Sequence, residues 1–286
     1  MNSEGQMTTT VDEGKIRDAL NAHGIFFKKA VRREIEKIEG VTILGEEYPV
    51  RYMEGASLDL LVELSSDDDA RVIFSIECKR AYARRKKWIF FEDREELSNL
   101  YAFSGKDLRA HYGSSVGPIC VEGVEIDEDR LTKDAFKAAS PDPIWQAARQ
   151  TCKGYLGFVQ QEFTERRKPQ STSTDRLILV PVLVTTAPLF VAEVDVSEID
   201  LSTGNLAAPL QLKPVPWVVL RHPFTPSYNA GEHHLRVNVP SYLPPLERGC
   251  YQKESIVVLN AMHIREVFAF LTDDLNREEG FENGEG

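Results

Sequence analysis

Two apolar segments, LDLLVEL (58–64) and RVIFSIECK (71–79), decide the fold that this sequence predicts. Both have the length of a strand, and the polar run SSDDD (65–69) between them is typical of a turn. Side chains alternate between the two faces of a strand, so Glu77 and Lys79 share one face while Ile76 and Cys78 point to the other. The two segments therefore predict an antiparallel β-hairpin with its charged residues at one end.

The register of this hairpin brings two carboxylates together. A symmetric turn centred near Asp68 sets Asp59 opposite Glu77. Directly opposed residues of an antiparallel pair lie about 5 Å apart, and two carboxylates that close repel each other unless a cation lies between them. A divalent metal with oxygen ligands suits this position, and Lys79 adds a second positive charge. A slip of one residue in the register would remove the arrangement.

The flanking elements predict an α/β fold with a mixed central sheet flanked by helices. We expect a helix that is capped at 11–13 and runs through 16–38, with a break or bend at Gly24, then a strand over 41–52 and the hairpin. Region 80–143 has no clear hydrophobic period. It is followed by a helix over 144–161, an apolar strand over 176–187 that suits burial on both faces, strands over 189–196, 214–222 and 255–260, and a terminal helix over 262–275.

The same order predicts one main domain with extensions. We expect a flexible N-terminus over 1–11 and a core over 12–200, in which 80–143 is an insertion. A C-terminal β/α extension of the same domain covers 201–272, and residues 273–286 form an acidic flexible tail.

Composition excludes several other classes of protein. The net charge of −11 argues against a nucleic-acid coat protein but permits a local basic groove. The four cysteines form no CxxC pair, a pattern that favours a reducing cytoplasm. The longest uncharged run, 177–192, contains prolines and is too short to span a membrane. Neither GxGxxG nor GxxxxGK(S/T) occurs, so we expect no nucleotide cofactor.

Asp59, a spacer of seventeen residues and then Glu77-Cys78-Lys79 resemble the motif of the PD-(D/E)XK, or restriction-endonuclease-like, nucleases. That superfamily has an αβββαβ core, and the element order here is similar over residues 12–187. Leu58 stands where the family has proline, at a position that is loose in the superfamily. The resemblance implies that Asp59 and Glu77 bind Mg²⁺, for which Mn²⁺ can substitute, with the Cys78 carbonyl as a third oxygen. Lys79 would position the attacking water and stabilise charge on the phosphate.

The resemblance also implies a glutamate from the first helix. Glu34 is the best candidate, because it lies between Val31 and Ile38 on the inward stripe. A solvated Glu34 with local ion pairs is the alternative. Glu46 and Glu47 on the first strand compete for the same role.

A polar stripe on the helix after the motif is a further candidate for the site. Gln146, Gln150 and Lys153 fall on one helical stripe, and such a helix often presents a polar residue to the scissile phosphate in this superfamily. The stripe could equally face water.

A basic run follows the hairpin directly and predicts contacts with nucleic acid. Arginine and lysine neutralise phosphates, and interleaved aromatic rings can stack on bases. A solvated charge run is the alternative. The basic residues are Arg80, Arg84, Arg85, Lys86 and Lys87, with Tyr82 and Trp88 among them.

Together these features predict a metal-dependent nuclease, with DNA as the expected substrate and RNA as a second option. By resemblance, an endonuclease of prokaryotic defence, restriction or repair is expected. Cleavage of a duplex often uses two active sites, so a homodimer is one candidate assembly. Two alternatives stay open: a non-catalytic nucleic-acid-binding or scaffold protein that retains the fold, and a partner-binding module built on the C-terminal region.

Replacing Arg84, Arg85, Lys86 and Lys87 together by alanine should weaken DNA binding and flatten its salt dependence. For every phosphate that the variant no longer neutralises, the log–log slope should fall by about one unit, because fewer counterions are released. Binding titrations at several salt concentrations measure this slope. An unchanged slope would mean that the run is a solvated face.

Overall fold

The computed structural model describes residues 12–22, 24–51, 55–65, 70–81, 86–92, 98–104, 107–113, 117–127, 143–166, 168, 176–194, 199–203, 205–206, 210–223 and 253–271. These residues form an α/β fold built on a large mixed sheet with few helices. That architecture is the one expected from the order of apolar segments.

The predicted hairpin is present in the predicted register. Strands β2 (Ser57–Ser65) and β3 (Ala70–Lys79) pair antiparallel, with Leu60 opposite Ile76. Phe74 and Ile76 are buried in one core and Ile73 in another, so the alternation expected along 71–79 is also confirmed. Because the register is the one that the turn predicts, Asp59 enters the sheet at the level of Glu77.

Parallel strands extend the sheet beside the hairpin. Strand β1 (Val41–Pro49) pairs antiparallel with β2, and β8 (Arg176–Thr185) runs parallel to β3 along its whole length. Strand β14 (Lys253–Asn260) then runs parallel to β8. The remaining strands are β4 (Lys86–Glu92), β5 (Ser98–Ser104), β6 (Asp107–Gly113), β7 (Ile119–Asp127), β9 (Leu189–Glu193), β10 (Ile199–Asp200), β11 (Asn205–Leu206), β12 (Gln211–Val215) and β13 (Trp217–Pro223).

Within the described residues, twelve strands belong to this one sheet. Ten of them follow the order β1-β2-β3-β8-β14-β13-β7-β4-β9-β12, while β5 pairs with β8 and with β6. Strands β10 and β11 form a separate small ribbon.

Helices cover both faces of the sheet. Helices α1 (Glu13–Ala22) and α2 (Ile25–Ile35) are separated by Gly24, whose φ of 72° breaks the helix where the sequence predicted a bend. Helix α2 and the C-terminal helix α4 (264–271) pack on one face, and α3 (Pro143–Arg166) packs on the other. Between them β8 buries Val182 in one core and Leu183 in another, as its continuous apolar sequence predicted.

Sequence reasoning missed the strands of region 80–143. This region contributes β4, β5, β6 and β7 to the sheet. In β4 three consecutive residues, Trp88, Ile89 and Phe90, are buried, so the alternation that identifies a half-exposed strand is absent. Strands β13 and β14 from the C-terminal segment lie between β8 and β7 in the sheet.

Several predicted elements differ in their bounds, and two of these differences have a clear structural cause. The stretch 214–222 is divided at Pro216, so β12 pairs with β9 while β13 pairs with β14. The terminal helix begins at residue 264, after a 3-10 turn (Ala261–His263) in which the Asn260 side chain accepts from the Met262 N–H. None of the helices in the described ranges is both long and apolar enough to cross a membrane.

Phe268→Ala should lower the free energy of unfolding by about 3–5 kcal/mol, because it opens a cavity in the core that joins α4 to the hairpin. The Phe268 ring is 1% exposed and its centroid lies 4.5 Å from that of Phe74. The matched control is Met262→Ala, at a position that is 88% exposed, and it should change stability by no more than about 0.5 kcal/mol. Equal losses in urea unfolding would contradict this packing.

Candidate functional site

The residues of the motif lie where two parallel strands end. Glu77 and Lys79 are at the carboxyl end of β3, opposite Leu183 and Thr185 at the end of β8. In open α/β sheets, ligands bind in the crevice outside the carboxyl ends of the strands. The hairpin therefore delivers its charged residues to an edge of the sheet that is suited to ligand binding.

Asp59 is held at this edge by a bond to the backbone. Regular pairing of β2 with β3 ends at Leu60 and Ile76. Beyond that pair the N–H of Cys78 donates to Asp59 Oδ2 at 2.8 Å, so the carboxylate takes the place of a ladder carbonyl. The Asp59 side chain is 18% exposed, and its orientation beside Glu77 is set by β3 itself.

Glu77 is strongly perturbed in this position. Burial raises its pKa from the ordinary value of 4.5 to about 8, and the negative charge of Asp59 acts in the same direction. The positive charges of Lys79 and Lys28 oppose this rise. A carboxyl group with this pKa is mostly protonated at neutral pH, and perturbed groups of this kind cluster at functional sites.

Lys28 is the residue of this cluster that sequence reasoning missed. Its Nζ donates to Asp59 Oδ1 at 3.0 Å and also contacts the Glu47 carboxylate. Lys28 lies in the first turns of α2, one helical turn before the buried Val31. The sequence contained a signal that could have identified Lys28 as part of the cluster. Its spacing from Val31 and Ile35 places the lysine on the flank of the helix face that packs on the hairpin.

Glu47 completes a row of acidic residues across three strands. The pairs Glu46–Leu60 and Tyr48–Leu58 put Glu47 level with Asp59. Among the described residues, Glu47 is the non-glycine residue with a positive φ, at 46°. Such backbone strain costs about 1–3 kcal/mol and is commonly found at functional sites. Glu47, rather than Glu46, is the β1 glutamate that reaches the cluster, because Glu46 pairs with Arg32.

Glu34 lies on the other flank of α2. Its carboxylate accepts from Arg265 of α4 at 2.8 Å and from Lys37. The hydrogen bond from Lys37, followed by that from Arg265, lowers the pKa of Glu34. Lys28, and not Glu34, is therefore the α2 residue that contacts Asp59. Glu34 has the local ion pair with Lys37 that the alternative interpretation predicts, and a second ion pair with the distant Arg265.

The polar stripe of α3 faces away from the sheet. Gln146 and Gln150 are exposed, and Lys153 is partly exposed. The neighbouring Ala147 and Cys152 pack on the sheet beneath α3. Because a side chain that faces a phosphate would be exposed as well, both orientations stay open for the glutamines, and their role stays a prediction.

Part of the basic run serves the fold. Lys86 forms an ion pair with Glu125, and Lys87 lies over the Phe190 ring at 5.6 Å from its centroid. Trp88 was expected to be available for stacking on bases, and this expectation is wrong, because the side chain is 0% exposed and its Nε1 donates to Glu125 at 3.0 Å. Tyr82, Arg84 and Arg85 lie outside the described residues.

The chain that follows Lys79 is tied to its surroundings. The Arg80 guanidinium donates to the carbonyl of Asn21 at the end of α1. The N–H of Ala81 donates to Thr186 Oγ1 at 2.8 Å, and that hydroxyl donates back to the Ala81 carbonyl. These bonds join the ends of β3 and β8, and they limit the movement of the backbone that carries Lys79.

The donor set fits a hard divalent cation with few protein ligands. Mg²⁺ usually keeps several waters and takes one or two carboxylates, and Asp59, Glu77 and the Cys78 carbonyl are oxygen donors of that kind. In the ranges that the structure describes, no group of three or more His, Cys, Asp or Glu side chains could hold a metal ion. The position beside Asp59 already carries one positive charge, that of Lys28.

Comparison of the chain with known proteins identifies no relative. No family model, no curated protein and no solved structure matches the chain. The interpretation of the cluster therefore depends on the geometry and charge of its own residues.

The pKa of Glu77 predicts a dependence of stability on pH. A group whose pKa is raised on folding stabilises the protein below its unfolded value, and that stabilisation is lost as the pH rises through the folded value. In the absence of divalent metal, wild-type stability should therefore fall between about pH 4.5 and 8, by at most about 1.4 kcal/mol per pH unit. Glu77→Gln should flatten this slope in urea unfolding at several pH values, and an identical slope in both proteins would contradict the prediction.

Proposed function

We propose that this chain is a metal-dependent nuclease that hydrolyses phosphodiester bonds, with DNA as its substrate and RNA as a second option. The observation that carries the proposal is the juxtaposition of Asp59 and Glu77, with Lys79 and Lys28 beside them, at the carboxyl end of β3. Two carboxylates at one strand end suit a divalent cation, and the Lys79 ammonium group beside them suits a phosphate.

The arrangement of elements supports a restriction-endonuclease-like core as part of this proposal. The order α2, β1, β2, β3, α3, β8 corresponds to αβββαβ, with β4 to β7 inserted before α3. Strands β1, β2, β3 and β8 are consecutive neighbours in the sheet, and β8 is parallel to β3. The antiparallel hairpin followed by a parallel strand supports the resemblance more strongly than the short motif alone.

Each residue of the site would have its own role in the reaction. Asp59 and Glu77, with the Cys78 carbonyl, would hold Mg²⁺ or Mn²⁺, which when bound polarises a phosphoryl oxygen and lowers the pKa of water. Lys79 would supply a fixed positive charge where negative charge develops on the phosphate. Glu77 must lose its proton before it can act as a ligand, so activity should rise with pH toward 8.

One observation favours a second function. Lys28 already neutralises Asp59, and a cation supplied by the chain would serve a protein that binds nucleic acid through this fold without cutting it. Under that alternative the cluster is a structural ion-pair network. Metal-dependent cleavage separates the two functions.

Asp59→Asn should abolish Mg²⁺-dependent cleavage, because a neutral amide is a poor ligand for a hard cation. Lys79→Ala should reduce cleavage by roughly 10²–10³-fold, because a preorganised charge is removed. The double variant should lose little more than either single variant, since residues that act as a unit are not additive. The assay measures cleavage with Mg²⁺ and DNA binding with EDTA for each protein.

The matched control is Glu63→Gln. Glu63 lies on the same strand as Asp59, but its carboxylate binds Arg71 at 2.7 and 2.8 Å, toward the turn end of the hairpin. This variant should cleave like the wild type. Wild-type cleavage by Lys79→Ala would refute its role, and wild-type inertness with Mg²⁺ and Mn²⁺ on single-stranded DNA, duplex DNA and RNA would favour the binding function.

A further inference from the structure

We infer that Lys28 is a built-in competitor of the divalent metal, whose ammonium group occupies Asp59 in the metal-free protein and has to leave it before a metal can bind there. This inference rests on the proposed metal site and adds the residue that regulates its occupancy.

Asp59 accepts two hydrogen bonds of different kinds, one from a side chain and one from the backbone. Oδ1 accepts from Lys28 Nζ at 3.0 Å, and Oδ2 accepts from the Cys78 N–H at 2.8 Å. The bond to Cys78 belongs to the pairing of the hairpin and keeps the carboxylate in place. The bond to Lys28 comes from a side chain, so it is the one that can be exchanged without unpairing β2 from β3.

Electrostatics makes the two cations mutually exclusive. In the ion pair between Lys28 and Asp59, the two side chains are 20% and 18% exposed, so water screens their charges only in part. A divalent ion at Asp59 would stand within a few ångströms of the ammonium group, and like charges at that distance repel strongly. Occupancy of Asp59 by a metal therefore requires Lys28 to move.

Lys28 has a second acidic partner that it can keep when it leaves Asp59. Its ammonium group also contacts Glu47, whose side chain is 63% exposed and can follow it toward solvent. The lysine stem has several rotatable bonds, so the ammonium group can leave Asp59 while α2 stays packed through Val31 and Ile35. Lys28 can thus exchange Asp59 for Glu47 and water without a change of fold.

The test is the affinity for Mn²⁺, measured without substrate by calorimetry and by the paramagnetic signal of free Mn²⁺. Lys28→Met removes the charge and keeps most of the stem, and it should bind Mn²⁺ at least tenfold more tightly than the wild type, a gain of about 1.4 kcal/mol. Lys29→Met, at the exposed neighbouring position, is the matched control and should bind like the wild type. Lys28→Gln keeps a hydrogen-bond donor and provides a second uncharged variant if Lys28→Met does not fold.

Thermal unfolding gives a second readout that does not depend on activity. Without metal, Lys28→Met should melt at a lower temperature than the wild type, because Asp59 and Glu47 lose their shared cation. Saturating Mn²⁺ should raise the melting temperature of Lys28→Met by more than it raises that of the wild type, because tighter binding to the native state stabilises it more.

The Asp59→Asn variant, measured in the same way, distinguishes a failure of the proposed metal site from a failure of the competitor role of Lys28. If it loses Mn²⁺ binding while Lys28→Met binds no more tightly than the wild type, the metal site stands and the competitor role is overturned. If Asp59→Asn binds Mn²⁺ like the wild type, or if no protein of the series binds it, the metal site and the competitor role are both overturned.

Discussion

The hydrogen bond from the Cys78 N–H to Asp59 Oδ2 is the interaction on which the candidate site depends. It forms where regular pairing of β2 and β3 stops, and it uses a side-chain oxygen in place of a backbone carbonyl. Because the bond exists only in this register, a slip of one residue would turn Asp59 and Glu77 to different faces. Strand β3 also pairs in parallel with β8 along its whole length, so the site lies beside the centre of the sheet.

Charge balance at the end of β3 follows from that geometry. Burial and the charge of Asp59 raise the pKa of Glu77, so the metal-free cluster avoids a second full negative charge by keeping a proton. Lys28 supplies the positive charge that Asp59 needs in a partly buried position. The protein thus stabilises an acidic cluster with its own proton and its own ammonium group, and both would have to be released under the proposed binding of a divalent cation.

Helices cover the sheet on both faces, and for this reason several of its strands could not be recognised from the sequence. Strand β8 buries residues on alternate sides in different cores, and β4 buries three residues in succession. A strand buried in this way has no alternation of apolar and polar residues. Helix α3 packs against one face, and α2 and α4 pack against the other, which leaves the carboxyl ends of β3 and β8 as the place where Asp59, Glu77 and Lys79 lie together.

The sequence by itself determined the hairpin, its register and the presence of Asp59 and Glu77 at one end of it, because strand alternation and turn symmetry are local properties. It also determined the break at Gly24 and the doubly buried character of β8. The tertiary structure alone decided that Lys28 meets Asp59 while Glu34 meets Arg265, because the rotation of α2 about its axis depends on how Val31 and Ile35 pack on the sheet. It likewise decided that Trp88 is core and that β4 to β7 join the sheet, because those outcomes depend on contacts between residues distant in the chain, which no local pattern records.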